Sequence, residues 1–149
     1  TDINVLAENM RFLKVQRYNV ASVVEVIRNK MRLATITIDG RTIAGDYGFI
    51  IACNTIHTGN AMKMAPLARI DDGKIDLLIV RKAGRMKLLS LFSKIFKGGH
   101  IGDPAVVYHQ AKEFSLVPLQ DHPLNIDGEI VGSTPIHVKM LAEEIDVLV

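Results

Sequence analysis

Asp127 and Glu129, which flank Gly128 between two short apolar segments, are the leading candidates for chemistry in this 149-residue sequence. A tight turn at this point would place both carboxylates at one loop tip. Paired carboxylates suit Mg²⁺ binding or general-base work, because hard cations take oxygen ligands and a base must lie near the proton that it removes. Asp-Gly turns are also common structural features, so the residues alone leave a catalytic pair and an ordinary hairpin both open.

Arg11 and Arg17 are candidates for phosphate binding, because the guanidinium fork matches the geometry of phosphate oxygens. The two residues are six positions apart, or about 240° around a continuous helix, so they share a face only if the helix breaks between them. Asn19 is a suitable N-cap for a second helix and favours such a break. Two solvated arginines are the alternative interpretation.

Asp72 lies in an acidic turn, residues 71–76, that could offer carboxylate and carbonyl oxygens to Ca²⁺ or Mg²⁺. The turn lacks the full EF-hand pattern, so an ordinary charged turn is the alternative. The five histidines show no zinc-ligand spacing, and the sequence has no GxSxG elbow and no glycine-rich phosphate loop. Cys53 is the single cysteine, which excludes an internal disulfide and favours a reducing cytosol.

The elements that must position these residues are mostly short strands. Apolar positions recurring near the 3.6-residue period predict two helices in the first thirty residues. An amphipathic helix is predicted at 85–97, ended by Gly98-Gly99, with an apolar stripe formed by Met86, Leu88, Leu89, Leu91, Phe92, Ile95 and Phe96. We therefore expect one mainly β (α+β) domain over residues 1–149, a β-sandwich of antiparallel strands with two N-terminal helices and one amphipathic helix. Strands are predicted at 34–39, 47–54, 74–80, 105–109, 113–117, 124–126, 129–131, 136–140 and 145–149. Asp39-Gly40 predicts a two-residue hairpin turn after the first of them, because Gly supplies the positive φ that such turns require.

The formal net charge of +2 conceals a strong asymmetry along the chain. Residues 1–100 hold 16 basic and 8 acidic side chains, a net +8, whereas residues 101–149 hold 2 basic and 8 acidic side chains, a net −6. Six basic residues fall between 81 and 97, and no acidic residue lies between Asp76 and Asp103. A cationic amphipathic helix can lie on an anionic membrane surface. We expect its apolar face to pack on the core, leaving its lysines free to meet lipid headgroups.

No apolar run approaches the length of a membrane span, and nothing resembles a signal peptide. We therefore expect a cytoplasmic protein that associates peripherally with membranes. The chain begins at Thr1 within a patterned segment, from which we expect a domain taken from a longer protein.

Six motifs taken together resemble the C-terminal domain of the diacylglycerol kinase and sphingosine kinase superfamily. They occur in the family's order over nearly the whole chain, at residues 7–19, 54–66, 68–76, 98–100, 104 and 127–129. The resemblance implies an ATP-dependent lipid kinase that phosphorylates a lipid hydroxyl, of the diacylglycerol or sphingoid-base class, in a cleft between two domains. The family's GGDGT-type motif belongs to the N-terminal nucleotide-binding domain, which is absent from this chain. We therefore expect the chain alone to be inactive.

The same resemblance implies roles for individual residues. Arg11 and Arg17 match the arginines that reach the nucleotide phosphates, and Asp127 and Glu129 match the acidic pair that closes the site, with ATP and Mg²⁺ as cofactors. Asp72 matches a loop that holds a structural metal in some bacterial members. The lipid-binding positions are Ile3, Asn4, Tyr18 and His57, although core packing would explain an apolar location equally well.

Asn4 is a departure from the sphingosine kinases, which place a carboxylate there for the substrate amine. An amide cannot form that ion pair, so a neutral lipid such as diacylglycerol is favoured. A noncatalytic lipid-binding or membrane-surface module is the alternative function. Nucleic acid is not an expected partner, because few aromatic residues accompany the basic ones. The expected partners are the lipid, the absent nucleotide-binding domain, an anionic membrane surface and a second copy in a homodimer.

Overall fold

The computed structural model describes residues 32–59 and 62–141 of the chain. Within them lie eight strands and one helix, all at or near predicted positions. The two predicted N-terminal helices and the predicted strand at 145–149 lie outside the described residues. The elements are β1 Arg32–Ile38, β2 Arg41–Cys53, β3 Ile75–Arg81, α1 Arg85–Ile95, β4 Val106–Ala111, β5 Glu113–Pro118, β6 Pro123–Ile126, β7 Glu129–Ser133 and β8 Ile136–Lys139.

Six of the strands form one sheet in the order β4-β3-β2-β1-β5-β8, and every neighbouring pair is antiparallel. The remaining two, β6 and β7, form a separate antiparallel hairpin. The prediction of a mainly β, antiparallel domain with one amphipathic helix is confirmed. In the described part of the chain, β4 and β8 are the edge strands of the large sheet. The expected homodimer stays a prediction.

The β1–β2 hairpin turns at Asp39-Gly40, as predicted. Both residues have positive φ, 44° and 79°, as a two-residue type I′ turn requires. One Asp39 carboxylate oxygen also accepts hydrogen bonds from the backbone N–H groups of Lys112 and Glu113, at 3.0 and 3.1 Å. The same side chain therefore ties the β1–β2 turn to the β4–β5 turn.

Strand β2 begins at Arg41, six residues before the predicted start at Tyr47. Residues 41–46 have a weak strand signal of their own, but each pairs in register with a residue of β1. Cross-strand pairing overrides local propensity here, because β propensity depends largely on the neighbouring strand. A bulge between Tyr47 and Phe49 then shifts the register against β3.

The bulge changes which residues of β2 face each side of the sheet. Tyr47 packs in the cluster built by alternate residues of β1 and β3, including Ile36 and Leu77. Beyond the bulge, Phe49 and Ile51 pack on the opposite side, against α1. One inserted residue shifts the two-residue alternation, so Tyr47 and Phe49 face opposite sides of the sheet although they are two positions apart. Strand β3 is buried on both faces from Ile75 to Val80.

Helix α1 covers one face of β3 and β4. Leu88 and Leu91 are its buried residues, and they pack with Leu78, Val80 and Val106. The helix ends two residues before the predicted end, and Gly98 follows with φ 72°, as a left-handed residue after a helix should. No helix in the described ranges is long and apolar enough to cross a membrane.

Candidate functional site

The predicted acidic pair lies on the β6–β7 hairpin. Ile126 pairs with Glu129, so Asp127 and Gly128 are the two turn residues, with φ 51° and 95°. The Gly128 N–H donates to the Asn125 side-chain oxygen at 3.0 Å and braces the turn. The turn prediction is confirmed, and both carboxylates lie at the hairpin tip. The catalytic role of the pair stays a prediction.

Both carboxylates are exposed, and neither has a hydrogen-bond or ion-pair partner among residues 32–59 and 62–141. The hairpin around them is also open. Ile126 is 49% exposed, Ile130 67% and Val131 50%. The described residues therefore leave this apolar hairpin and its acidic tip uncovered. The tip can contact a ligand or a further part of the protein without first breaking an internal contact.

Thr134 fixes the base of this hairpin. Its side chain is buried, and its hydroxyl oxygen accepts a hydrogen bond from the His122 backbone N–H at 2.9 Å. The Thr134 N–H donates in turn to the His122 carbonyl at 2.9 Å. The position of the acidic tip relative to β8 is therefore set at the base of the hairpin, where the backbone is anchored.

His57 lies on the folded loop that follows β2. Its side chain is exposed, and its carbonyl accepts a hydrogen bond from the Thr55 hydroxyl at 3.1 Å. The loop closes through a Thr58 N–H to Met62 carbonyl bond of 2.9 Å. His57 therefore does not pack in the core of the described residues. Its role in lipid binding stays a prediction.

His100 holds this loop against the segment that follows α1. The imidazole is 1% exposed, and its Nε2 lies 3.0 Å from the Met64 carbonyl oxygen. Burial lowers the pKa of His100, so the ring is neutral at pH 7 and the hydrogen bond requires the Nε2–H tautomer. The Gly98-Gly-His100 motif therefore has a structural role, since it positions the 54–66 motif.

Asp72 shapes the turn that precedes β3. Its Oδ1 accepts the Lys74 N–H at 3.0 Å, and Gly73 has φ 63°. The neighbouring Asp71 forms an ion pair with Arg69 at 3.1 Å, which lowers the pKa of that carboxyl. Within the described ranges, no group of three or more His, Cys, Asp or Glu side chains could hold a metal ion. Metal binding at Asp72 stays a prediction.

Asp76, which the sequence analysis included in the acidic turn at 71–76, is instead a buried residue of β3. Its side chain is fully buried, and its Oδ1 accepts hydrogen bonds from the Tyr108 hydroxyl at 2.6 Å and from the Gln110 amide at 3.0 Å. Its Oδ2 has no partner among the described residues. The available signal was a carboxylate inside an otherwise apolar strand, which a folded protein accepts only with polar partners.

The surroundings of Asp76 also perturb its neighbours. Burial, and then the hydrogen bond to Asp76, raise the pKa of Tyr108, so the phenol stays protonated and donates. Cys53 lies opposite Asp76 on β2, and burial raises the pKa of its thiol. The three strands therefore share a fixed polar cluster at the end of β3 that follows the acidic turn.

Asp103 corrects the expectation that the lysines of the cationic helix are free. Its carboxylate is 3% exposed and forms ion pairs with Lys87 at 2.7 Å and Lys94 at 3.0 Å, as well as a hydrogen bond from the Ala105 N–H. The two lysines lower its pKa strongly. Lys87 and Lys94 thus hold α1 to the segment before β4, because a buried carboxylate needs charged partners.

Five predicted site residues lie outside the described residues: Ile3, Asn4, Arg11, Arg17 and Tyr18. The structure brings Asp127 and Glu129 together on one hairpin. It places His57 and Asp72 on two other loops.

The described fold is an antiparallel sheet with a helix packed on one face and a separate acidic hairpin, which defines a β-sandwich-like class of domain. All of residues 1–149 match the family described as the YegS C-terminal NAD kinase beta sandwich-like domain. The chain therefore belongs to this family, and the predicted membership of the diacylglycerol kinase superfamily is confirmed.

Relatives of known sequence agree with this membership, and a solved structure agrees with the fold. The chain is 33% identical over 112 residues to a diacylglycerol kinase of Staphylococcus carnosus, covering 75% of this chain and 37% of the relative. It is 32% identical over 112 residues to a diacylglycerol kinase of Staphylococcus aureus, covering 75% and 36%. The crystal structure of a diacylglycerol kinase from Bacillus anthracis str. Sterne matches the fold with a TM-score of 0.69 at 18% identity, covering 84% of this chain and 42% of that chain. The chain thus spans less than half the length of these relatives.

Proposed function

We propose that this chain is the lipid-binding, site-completing domain of an ATP-dependent lipid kinase, and that it needs a nucleotide-binding domain to act. The observation that carries the proposal is the pair of unpartnered carboxylates at the hairpin tip of a chain that belongs to this family. The relatives named diacylglycerol kinase support phosphorylation of a neutral lipid hydroxyl. Asn4 supports a neutral lipid rather than a sphingoid base, because an amide cannot pair with a substrate amine.

Glu129 is assigned the role of general base. It would accept the proton of the lipid hydroxyl as that oxygen attacks the γ-phosphorus of ATP, and the products are the phosphorylated lipid and ADP. An exposed carboxylate that has no hydrogen-bond or ion-pair partner among the described residues suits this role, because its oxygens are open to the lipid hydroxyl. The two-residue turn keeps Glu129 beside Asp127, at the start of β7.

Asp127 is assigned the role of metal ligand. Its free carboxylate oxygens are the donors that Mg²⁺ prefers, so the residues present fit the ion. When bound, Mg²⁺ would neutralise charge on the phosphates. Arg11 and Arg17 are proposed to contact the nucleotide phosphates, because phosphoryl transfer depends mainly on positioning and on charge neutralisation.

The test is a kinase assay on the full-length protein with diacylglycerol in neutral detergent micelles. Glu129→Gln should lower kcat by roughly 10²- to 10⁴-fold, the range for loss of a general base. Asp127→Asn should raise the Mg²⁺ concentration needed for half-maximal activity. The matched controls are Glu113→Gln and Asp121→Asn, which should retain wild-type kinetics. Near-normal turnover by Glu129→Gln would refute the base assignment.

A noncatalytic lipid-binding module is the second candidate, favoured by the exposed basic residues around α1. This candidate predicts that full-length protein binds lipid but transfers no phosphate to diacylglycerol or to a sphingoid base. Phosphate transfer that depends on Asp127 and Glu129 would exclude it.

A further inference from the structure

The outer side of α1 combines an exposed apolar residue with unpaired cations. Met86 is 78% exposed and lies about 170° around the helix from the midpoint of the buried Leu88 and Leu91, so it points away from the core. Lys97 is exposed in the turn that follows the helix, and Leu89 is half-buried. We define the α1 outer surface as Lys82, Arg85, Met86, Leu89 and Lys97.

The basic residues of this surface are not used in holding the fold together. In residues 32–59 and 62–141 no carboxylate lies within 4.0 Å of the charged groups of Lys82, Arg85 or Lys97. Lys87 and Lys94 differ, because both are paired with the buried Asp103. The cations in and around α1 are therefore of two kinds: Lys87 and Lys94 hold the helix to the segment before β4, whereas Lys82, Arg85 and Lys97 are exposed and without a carboxylate partner among the described residues.

The segment around α1 is also poor in acidic residues. No acidic residue occurs between Asp76 and Asp103, and the first turn of the helix contains none. Asp103, the carboxylate beside the helix, is surrounded by two ammonium groups. An apolar side chain among cations complements a surface that offers phosphate groups above hydrocarbon.

We propose that the α1 outer surface docks the protein on an anionic lipid bilayer, with Met86 entering the headgroup–acyl boundary and Lys82, Arg85 and Lys97 contacting lipid phosphates. The surface is distinct from the acidic hairpin, whose negative charge an anionic bilayer would repel. The inference rests on the proposed function only in that a kinase for a membrane lipid must reach the bilayer.

The test measures cosedimentation of the full-length protein with phosphatidylcholine vesicles, with and without phosphatidylglycerol, in the absence of ATP. Wild type should bind only the anionic vesicles, and binding should weaken as salt is raised. A basic residue near the surface contributes about fivefold to partitioning, so the Lys82→Glu/Arg85→Glu double variant should bind at least roughly 25-fold more weakly.

The matched control for charge is Arg41→Glu/Lys112→Glu, which makes the same change in net charge at the turns around Asp39. Lys82 lies beside a point further along β2, where its N–H donates to the Asp46 carbonyl. It should keep most of the binding. The matched pair for insertion is Met86→Ser against Ile70→Ser, two exposed apolar residues of which only the first should matter. These positions lie on the surface, so the variants should fold.

Three outcomes would overturn the proposal. Equal losses in the two double variants would show a response to net charge alone. Equal binding to neutral vesicles would remove the role of the cations. If the wild-type protein binds no vesicles, the proposal of bilayer docking is refuted, and an acidic protein becomes the alternative partner of this surface. Micellar kinase activity, measured on the same variants, separates these results from failure of the proposed function, because docking variants should phosphorylate micellar lipid at the wild-type rate.

Discussion

The α1 side of the sheet and the β6–β7 hairpin differ in how far their apolar and charged side chains are buried and paired. Under α1, Leu78 and Leu91 are buried and Asp103 binds two lysines, so both apolar and charged groups have partners. On the hairpin, Ile130 is 67% exposed, and Asp127 and Glu129 have no partner in the described ranges. A satisfied region stabilises the fold, whereas an open one is available to a ligand or a partner. The two regions should therefore respond differently to substitution.

The largest effect on stability is expected from the core under α1. Leu78→Ala should lower the free energy of unfolding by about 2–5 kcal/mol, because Leu78 is 2% exposed and its removal leaves a cavity. Ile130→Ala on the hairpin should change it by less than about 0.5 kcal/mol. Denaturant unfolding followed by circular dichroism measures both. Similar losses would mean that the hairpin is as well packed as the core.

The next effect is expected at Asp76. Tyr108→Phe removes the hydroxyl that donates at 2.6 Å to a buried carboxylate, and should cost about 1–3 kcal/mol. Tyr47→Phe is the matched control, because its hydroxyl makes only a 3.4 Å contact to the Ile43 carbonyl, and it should cost less than about 1 kcal/mol. Equal costs in the same unfolding measurement would show that the Asp76 cluster is not specially dependent on this bond.

A pH-dependent effect is expected at Asp103. Its pKa lies well below the ordinary value of 3.8, chiefly because Lys87 and Lys94 donate to it. A carboxyl with a lowered pKa stabilises the fold above its unfolded pKa, and this stabilisation is lost as the pH falls. Asp103→Asn should therefore be less stable than wild type at pH 7, and the difference should shrink below about pH 4.

Thermal unfolding across that pH range tests the Asp103 prediction. Asp121→Asn, an exposed position without an ion pair among the described residues, is the control and should be as stable as wild type at pH 7. A stability difference for Asp103→Asn that stays constant from pH 7 to acid would rule out ionic clamping by the two lysines.

The smallest effect on stability, paired with a loss of function, is expected at Gly128. Its φ of 95° is unfavourable for residues with a Cβ, so Gly128→Ala should strain the turn by about 1 kcal/mol and displace the acidic tip. Gly99→Ala, at a glycine without positive φ and with open space around its Cβ, is the control. Full-length kinase activity should fall in the first variant and not in the second.

The sequence predicted the elements well wherever local pattern and tertiary context agree. Alternation located β1, a short apolar run located β4, Asp-Gly dipeptides marked the turns at 39–40 and 127–128, and the apolar stripe located α1. It failed at residues 41–46, where pairing with β1 rather than composition makes the strand. It also assigned Met86 to the apolar stripe, although a helix of this length buries only the side that faces the sheet.

By itself, the sequence determined the antiparallel β class, the acidic turn and the family, because turn chemistry, hydrophobic period and motif order are local properties of the chain. Only the tertiary structure decided which charges are used internally. Asp76 and Tyr108 are 32 positions apart, and Asp103 and Lys87 are 16 apart, so no local pattern reports their contacts. Burial forces these charges to find partners, and the fold alone brings the partners within reach. The same fold leaves Met86 and Arg85 exposed on α1, and Lys82 exposed in the segment before it.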